Sequence, residues 1–425
     1  MDIFDFSDVL IILVFTLGYL FITIEHITHI NKTSVALLMA IFCWVIQFTS
    51  HHQSDENNIL LLGEHIGNIS QVIFFLLGAL TIVEIINAHH GFQLISNVIQ
   101  VRSKKQLLWI VGLITFFLSA ILDNLTSTII MVTLIRKLIE KGEDRLLMGG
   151  AIVIAANAGG AWTPIGDVTT TMLWIGGQLS TFQIIRYLFL PSLTCLIVSL
   201  LFISWTLKGK FKSPNIKEQN QQLEPMGNTI FWLGVSCLIC VPIFKILTGL
   251  PPFMGMIFGL GLMWVFTDIV HSQYKNREHL RVPHIISRID VSSVLFFLGI
   301  LLAVDALHAA GILDSLAQWM DRKIANSNFI AVAIGLASAV IDNVPLVAAV
   351  MGMYSLTQYP TDSTFWNLIA YCAGTGGSIL VIGSAAGIAY MGMEKVQFFW
   401  YFRRVGIAAL IGYFAGIGIF KLTVG

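Results

Sequence analysis

The chain is short of charged residues. Of its 425 residues only 11% are Asp, Glu, Lys or Arg, whereas 56% are hydrophobic. A soluble domain carries about 25% charged residues, so this chain lacks the polar side chains that would cover a water-exposed surface. Its formal net charge is zero, and the absence of a basic tail argues against a nucleic-acid partner. The composition therefore predicts a polytopic protein of the lipid bilayer.

Cysteine is also scarce, and the chain offers no evident catalytic apparatus. All five cysteines lie in apolar segments. Cys237 and Cys240 form a CxxC motif there, which we interpret as two small hydrophobic residues rather than a redox or metal pair. Neither a nucleophile–base pair nor a metal-ligand cluster is evident, so we expect neither an enzyme nor a bound cofactor. The acidic N-terminus lacks the basic region that opens a cleaved signal peptide.

What the chain has instead is a duplicated series of apolar segments. A polar linker at 208–227 separates two series that run in the same order. The first series occupies 1–207 and the second occupies 228–425. We therefore predict an all-α membrane protein built from two repeats.

Matching motifs support the duplication. An Asp-Asn pair begins at Asp123 within SAILDNLTSTIIMVT, and a second begins at Asp342 within ASAVIDNVPLVAAVM. The apolar segments that flank each pair are shorter than the roughly 20 residues of a full membrane crossing. We interpret 106–139 and 311–358 as re-entrant hairpins, each with an Asp-Asn pair at its tip.

Two longer apolar segments, 147–176 and 364–395, are interrupted by glycine. The interruptions match between the repeats, since Gly159-Gly160 corresponds to Gly376-Gly377. We interpret both segments as broken helices, because non-helical backbone at membrane depth occurs where it lines a cavity or is buried in protein. Close helix packing is the alternative role for these glycines.

The distribution of basic residues predicts the topology. An N-terminus outside the cell assigns most of the 24 Lys and Arg residues to cytoplasmic segments, as the positive-inside rule requires. With re-entrant hairpins, each repeat crosses the membrane five times, an odd number, so the two repeats have opposite orientations. The hairpin tips then meet near the midplane. Inverted repeats with broken helices are typical of secondary transporters.

The polar residues in these segments indicate what is transported. A charge at the bilayer centre costs about 2.5–3.5 kcal/mol and usually marks an ion pathway. Oxygen donors, which hard cations prefer, surround the aspartates: Asn124, Thr126, Ser127, Asn157, Thr163, Asp167, Thr169, Thr170, Asn343, Thr375, Ser378 and Ser384. Lys and Arg are absent from both broken segments, which argues against an anionic substrate. The alternative role of each aspartate is to cap a helix end.

The motifs ILDNLTSTIIM, NAGGAWTPIGDVTTTMLW, IDNVPLVAAVMGM and GTGGSILVIGSAAGIA resemble those of the NhaD-type sodium/proton antiporters of the ion transporter superfamily. The resemblance extends over essentially the whole chain. Dicarboxylate symporters and arsenite transporters of that superfamily share the architecture, but the symporters have a Ser-Asn-Thr type motif at the hairpin tips. Here Asp123 and Asp342 stand in that motif, which favours cations. An anion or oxyanion carrier for arsenite or a dicarboxylate remains the alternative.

The resemblance implies a homodimer in a bacterial-type inner (plasma) membrane, with a scaffold domain and a transport domain. It implies exchange of cytoplasmic Na+ or Li+ for external H+ by alternating access. Cation binding needs an ionised carboxylate, so protons and sodium compete for it. The resemblance assigns the ion site to Asp123, Asn124, Asn157, Asp167, Thr170, Asp342 and Asn343, and the repeat match adds Ser378 and Ser384. Na+ is expected near Asp123, Asp342 or Asp167.

Other ionisable residues lie away from these motifs. Glu84 and Asp305 occupy matching positions in the two repeats, where we interpret them as pH-sensing carboxylates or as groups hydrated at the membrane interface. The pairs His51-His52 and His89-His90 lie in predicted loops. We expect these histidines to be solvated, with pH sensing as the alternative.

Overall fold

The computed structural model describes residues 5–23, 25–28, 30–50, 55–96, 103–207, 209, 224, 226–272, 274–324 and 326–424. Within these ranges every extended regular element is a helix, which confirms the all-α prediction. Most of the predicted linker at 208–227, and the pair His51-His52, lie outside the described residues.

The longer helices of the first half are α1 Phe6–Thr23, α2 Lys32–Thr49, α3 Asp55–Ala88, α4 Lys104–Leu122, α5 Asn124–Leu138, α6 Glu143–Gly160, α7 Val168–Ile175 and α8 Thr181–Thr206. Those of the second half are α9 Gly227–Thr248, α10 Pro252–His271, α11 Val291–Ala309, α12 Ile312–Lys323, α13 Ser327–Ala337, α14 Asn343–Met353, α15 Thr364–Gly376, α16 Ala385–Glu394 and α17 Ile407–Thr423. A helical turn at Phe398–Tyr401 and a π-helical turn at Phe402–Gly406 lead directly into α17.

In the described part of the chain, nine helical stretches are long and apolar enough to cross a membrane. They are α1, α2, the stretch Asn58–Ala88 of α3, α4, α8, α9, α10, α11 and the continuous stretch Phe398–Thr423. The protein is therefore a multi-pass membrane protein. The remaining longer helices are shorter than a full crossing or are buried among their neighbours.

The helices pack into two groups, which we call the outer body and the inner body. In the outer body, α1 and α2 pack on α11, while α3 packs on α9 and α10. The Trp44 indole of α2, for example, donates to the Leu302 carbonyl of α11 at 2.9 Å. In the other body, α4 to α8 pack with α13 to α17. A large apolar core runs through this second body and continues into α1, α2 and α11, and a smaller cluster lies around α3, α9 and α10.

The inner body contains the predicted hairpins and broken helices. The segment 106–139 forms α4 and α5, which meet at Asp123. The segment 311–358 forms three helices, because α12 precedes the pair α13 and α14. The segment 147–176 divides into α6 and α7, and 364–395 divides into α15 and α16. The inverted relation between the two halves stays a prediction.

Contacts between distant residues identify the two ends of the bundle. At one end, Lys104 pairs with Asp144 at 2.6 Å, Arg145 pairs with Glu394, and Arg404 pairs with Glu143. We call this the basic end. At the other end, the Asp362 carboxylate accepts a bond of 2.7 Å from the Ser180 main-chain N–H, and we call it the Asp362 end.

Candidate functional site

Glycine allows the two broken segments to pack against the hairpins. A Cβ atom on Gly159 would collide with the Phe116 carbonyl of α4, and one on Gly376 would collide with the Gly335 carbonyl of α13. The chain behind each break folds back on the same helix, since Gly160 approaches the Gly166 carbonyl. These approaches are possible only without a side chain. The glycines thus have both of the roles considered from the sequence.

Asp167 lies at the centre of the site. It is 2% exposed and precedes α7, where its Oδ1 accepts bonds of 3.0 Å from both the main-chain N–H and the hydroxyl of Thr169. Its Oδ2 accepts from Asn124 Nδ2 at 2.8 Å and from Asn343 Nδ2 at 3.5 Å. Both hairpin tips therefore reach one buried carboxylate oxygen.

Asn157 extends this network across the inner body. Its Oδ1 accepts from Asn124 Nδ2 at 3.0 Å. Its Nδ2 donates at 2.9 Å to each of two hydroxyls, Ser378 Oγ and Ser384 Oγ. Asn157 is fully buried in α6. A single chain of polar contacts therefore links Asp167 to both broken segments and both hairpins.

Asp123 and Asp342 lie beside this network and cap helices. Asp123 accepts from Thr126, from its main-chain N–H at 2.7 Å and from its hydroxyl at 2.8 Å, at the start of α5. Asp342 accepts from the Val344 N–H at 3.2 Å at the start of α14. Both are partly exposed, and each directly precedes the asparagine that donates to Asp167. The structure thus gives each aspartate the capping role that the sequence left open.

Thr170 contacts the chain of the break itself. Its hydroxyl donates to the Asp167 main-chain carbonyl at 2.9 Å. Nearby, Thr171 donates to the Pro164 carbonyl at 2.9 Å, and Thr163 donates to the Ala120 carbonyl of the first hairpin at 2.7 Å. These hydroxyls hydrogen-bond to the carbonyls of the non-helical backbone and hold it in place. The sequence identified the threonines as polar residues of the site but not the carbonyls to which they donate.

A cavity of about 560 Å³ approaches the site from the basic end. It lies between the outer body and the inner body. Its lining includes Glu84 of α3, Arg288 before α11, Leu125 and Thr126 of α5, and Ala385 of α16. Because the Thr126 hydroxyl bonds to Asp123, one side chain separates the cavity from the first hairpin tip.

On the Asp362 side, the two bodies are packed together. A Cβ atom on Gly352 of α14 would collide with Leu313 and touch His308 at the end of α11. Lys245 of α9 donates to the Trp174 carbonyl at the end of α7 at 3.0 Å, and the Trp174 side chain is fully buried. At the basic end, the cavity separates α3 of the outer body from α5 of the inner body. Among the described residues, the cavity thus approaches the site from the basic end.

Asp305 lies in this closed region, where its Oδ2 is 3.1 Å from His65 Nδ1. Its sequence match, Glu84, lies in the cavity and accepts from Asn87 at 3.1 Å. The two carboxylates therefore have different surroundings. The sequence did not reveal His65 as the partner, since the two residues lie on separate helices with no shared motif.

The prediction for His89 is wrong. Its ring is fully buried, with Nδ1 at 2.7 Å from the Ile85 carbonyl and Nε2 at 3.0 Å from His271 Nε2 of α10. His271 is also fully buried. The end of α3 packs against the end of α10, and this tertiary contact removes from water a residue that local sequence assigns to a loop.

Comparison with known proteins identifies the family. A family model described as citrate transporter matches residues 19–374. Sodium/proton antiporter 1 of Arabidopsis thaliana is 55% identical over 416 residues, which cover 97% of this chain and 72% of that protein. Na(+)/H(+) antiporter NhaD of Vibrio parahaemolyticus is 31% identical over 420 residues, which cover 89% of this chain and 97% of that protein. The chain belongs to the NhaD-type sodium/proton antiporter family.

Membership of the NhaD-type family confirms the resemblance drawn from the motifs. Sodium/proton antiporter 2 of Arabidopsis thaliana is a further relative, 53% identical over 409 residues that cover 95% of this chain and 97% of that protein. The NhaD-type chain is thus a transporter rather than an enzyme, as expected. Its buried Asp167 and the surrounding asparagines form the candidate ion site.

Proposed function

We propose that this protein exchanges Na+ for H+ across a membrane, with Asp167 as the carboxylate that both ions share. The observation that carries the proposal is the convergence of Asn124 and Asn343, one from each hairpin, on a single buried carboxylate oxygen. A buried ionisable group inside a membrane protein is costly and usually functional. The names of the relatives, which are sodium/proton antiporters, support the choice of ions.

Asn124 and Asn343 can turn from hydrogen-bond donors to Asp167 into oxygen ligands of a cation. Their Nδ2 groups now donate to Asp167. The terminal torsion of asparagine is broad and roughly two-fold, so rotation about it turns the amide oxygen toward the carboxylate. A hard cation then gains oxygen ligands from Asp167, Asn124 and Asn343, with Asn157 Oδ1 beside them. Ser378 and Ser384 orient Asn157 in this proposal.

A proton on Asp167 removes the charge that binds the cation. Because binding requires the ionised carboxylate, lower pH weakens Na+ binding and bound Na+ excludes the proton. Asp123 and Asp342 contribute negative charge near the site and hold the hairpin tips. Thr126 and Thr170 support the tip and the break.

The cavity supports transport by alternating access. It approaches the site from the basic end, while the bodies are packed together at the Asp362 end. By the positive-inside rule, we propose that the basic end is cytoplasmic and that the N-terminus lies outside. The protein, as a homodimer in the plasma membrane, then moves Na+ or Li+ out of the cytoplasm and H+ into it. Glu84 in the cavity and Asp305 at the closed end are the carboxylates that adjust exchange to pH.

Transport of an anion is the other activity to test, because the family model carries the description citrate transporter. The side chains that bond to the Asp167 carboxylate are amides and a hydroxyl. A negative carboxylate in such a site repels a dianion. We therefore do not propose citrate transport for this chain.

Purified protein in proteoliposomes with an acidic interior tests the function. External NaCl or LiCl should raise the internal pH, as reported by a trapped dye, whereas choline chloride should have no effect. Lowering the pH should raise the Na+ concentration that gives half-maximal exchange, because protons compete for the site. Uptake of labelled citrate without any response to Na+ or Li+ would contradict the proposal.

A further inference from the structure

The two broken segments are built alike down to single contacts. The Ser119 hydroxyl of α4 donates to the Ala156 carbonyl of α6 at 2.6 Å. At the second break, the Ser338 hydroxyl donates to the Ala373 carbonyl at 3.1 Å. A Cβ atom on Gly166 would collide with the Ser119 carbonyl, and one on Gly383 would collide with the Ser338 carbonyl. We call each break, together with the hairpin residues that contact it, a half-site. The two half-sites therefore share one backbone frame.

The side chains in that frame differ. The residue that caps the second half-helix is Asp167 at the first break, where it accepts from the Thr169 N–H, and Ser384 at the second break, where it accepts from the Gly387 N–H at 3.2 Å. The position of Asn157 in the first half-site is taken by Gly374 in the second. Each hairpin tip supplies an Asp-Asn pair, but among the breaks themselves only 157–167 adds a carboxylate and an amide, since 374–384 has neither.

The Asn157 amide reaches into the second half-site. Its Nδ2 lies 2.9 Å from Ser378 Oγ and 2.9 Å from Ser384 Oγ, so both of its N–H groups point to hydroxyl oxygens there. Amide hydrogens carry partial positive charge, and each is bound by an oxygen that a cation ligand set would need. Asn157 is fully buried, so water cannot replace it easily.

We propose that the Asn157 amide fills the second half-site in place of a cation, so that the protein binds one Na+ per protomer in each cycle, at Asp167. The inference rests on the proposed function and makes it more specific. Asn157 becomes the residue that sets the number of bound ions. The isosteric substitution Asn157→Asp replaces the amide donor by a carboxylate and frees the two serine hydroxyls, which should allow a second cation to bind.

Equilibrium binding of radioactive sodium to the purified dimer at alkaline pH measures this number. The wild-type protein should bind one Na+ per protomer, and exchange should follow a Hill coefficient of about 1, since that coefficient is limited by the number of interacting sites. Asn157→Asp should bind one additional Na+ per protomer, with Asn157→Gln as the matched control that keeps a donor and gains no site.

Each result has a distinct meaning. Binding of two Na+ per wild-type protomer, or one Na+ per protomer in a folded Asn157→Asp variant, overturns the inference while leaving sodium/proton exchange intact. The absence of both Na+ binding and Na+-dependent proton movement in the wild type overturns the proposed function as well. If Asn157→Asp does not fold, as judged by size-exclusion chromatography, the wild-type stoichiometry alone decides.

Discussion

Arg145 and Glu394, which are 249 residues apart in the chain, form an ion pair inside the basic end. Two nitrogens of Arg145 approach Glu394 Oε2, Nε at 3.0 Å and Nη2 at 2.8 Å. Arg136 at the end of α5 lies 3.3 Å from Oε1 of the same carboxylate. The Glu394 side chain is only 1% exposed. The end of α16 is thus tied to the first hairpin and to the start of α6.

Removal of this carboxylate should lower stability strongly. Glu394→Gln leaves the Arg145 charge, which is 11% exposed, without its partner, and a broken buried pair costs about 3–5 kcal/mol. The matched control is Glu143→Gln, whose pair with Arg404 is half-exposed and should be worth less than about 1 kcal/mol. Thermal unfolding in detergent, followed by fluorescence-detected size-exclusion chromatography, measures both. Equal melting temperatures for the two variants would refute the role of the buried pair.

Substitution of any of the three acids in the site should impair exchange. Asp167→Asn keeps the shape of the side chain but removes the charge that binds Na+, so Na+-dependent proton movement should disappear. Asp123→Asn and Asp342→Asn should also lose exchange or retain only a small part of it, because each acid directly precedes an asparagine that donates to Asp167. Asp314→Asn, an exposed acid on α12, is the control. Wild-type exchange by Asp167→Asn in proteoliposomes would rule out the proposed site.

The charged lining of the cavity, in which Glu25, Glu84 and Asp290 accompany Lys32 and Arg288, should affect how Na+ reaches the site. Glu84→Gln removes a negative charge from the cavity wall and should weaken apparent Na+ affinity about threefold at low ionic strength, because carboxylates that line a cleft raise the local concentration of cations. Salt should shrink the difference, since it screens exposed charges. Asp314→Asn again serves as the control. An identical Na+ dependence for Glu84→Gln and wild type at low salt would remove Glu84 from the ion path.

His89 should make the stability of the protein depend on pH. Burial lowers the pKa of His89, so the folded protein binds fewer protons at this ring than the unfolded chain does. Stability is therefore lost as the pH falls through the unfolded value of about 6.5 and below it. The melting temperature should fall between about pH 8 and about pH 5.5, and His89→Gln should reduce that fall. The control is His284→Gln, because His284 is exposed; equal pH profiles for wild type and His89→Gln would contradict the prediction.

Impermeant maleimide labelling should report the orientation in the membrane. Cys240 is the exposed cysteine among the native ones, so Cys240→Ser gives the background for single-cysteine variants. In intact cells, Thr357→Cys at the Asp362 end should be labelled, whereas Lys141→Cys at the basic end should react only after the membrane is opened. The reverse pattern would place the N-terminus inside and invert the direction assigned to the cavity.

Much of the fold follows from local sequence. Asp123, Asp167 and Ser384 each accept a bond from a main-chain N–H at the start of a helix, which is the usual behaviour of Asp and Ser at that position. Glycine and proline mark the break at 161–167 in the same way. The sequence therefore predicts where helices begin and end near the site, and which polar residues belong to it.

Partners that depend on tertiary packing could not be predicted. Asn157 donates to hydroxyls that follow it by 221 and 227 residues, and no spacing rule connects them. The same applies to His65 with Asp305 and to His89 with His271, which come from helices that meet only after folding. The sequence also placed emphasis on the hairpin-tip aspartates, whereas the structure makes Asp167 the most deeply buried of the three acids.

The two hairpin tips differ in backbone conformation. Asp123 has a φ of 119° and Asp342 has a φ of −48°. The first lies in a region that residues with a side chain rarely adopt, at a cost of about 1–3 kcal/mol. Strain of this kind persists only where the surrounding structure fixes the backbone. The two tips are thus not interchangeable, because the first holds its carboxylate in a strained conformation and the second holds its carboxylate in an ordinary one.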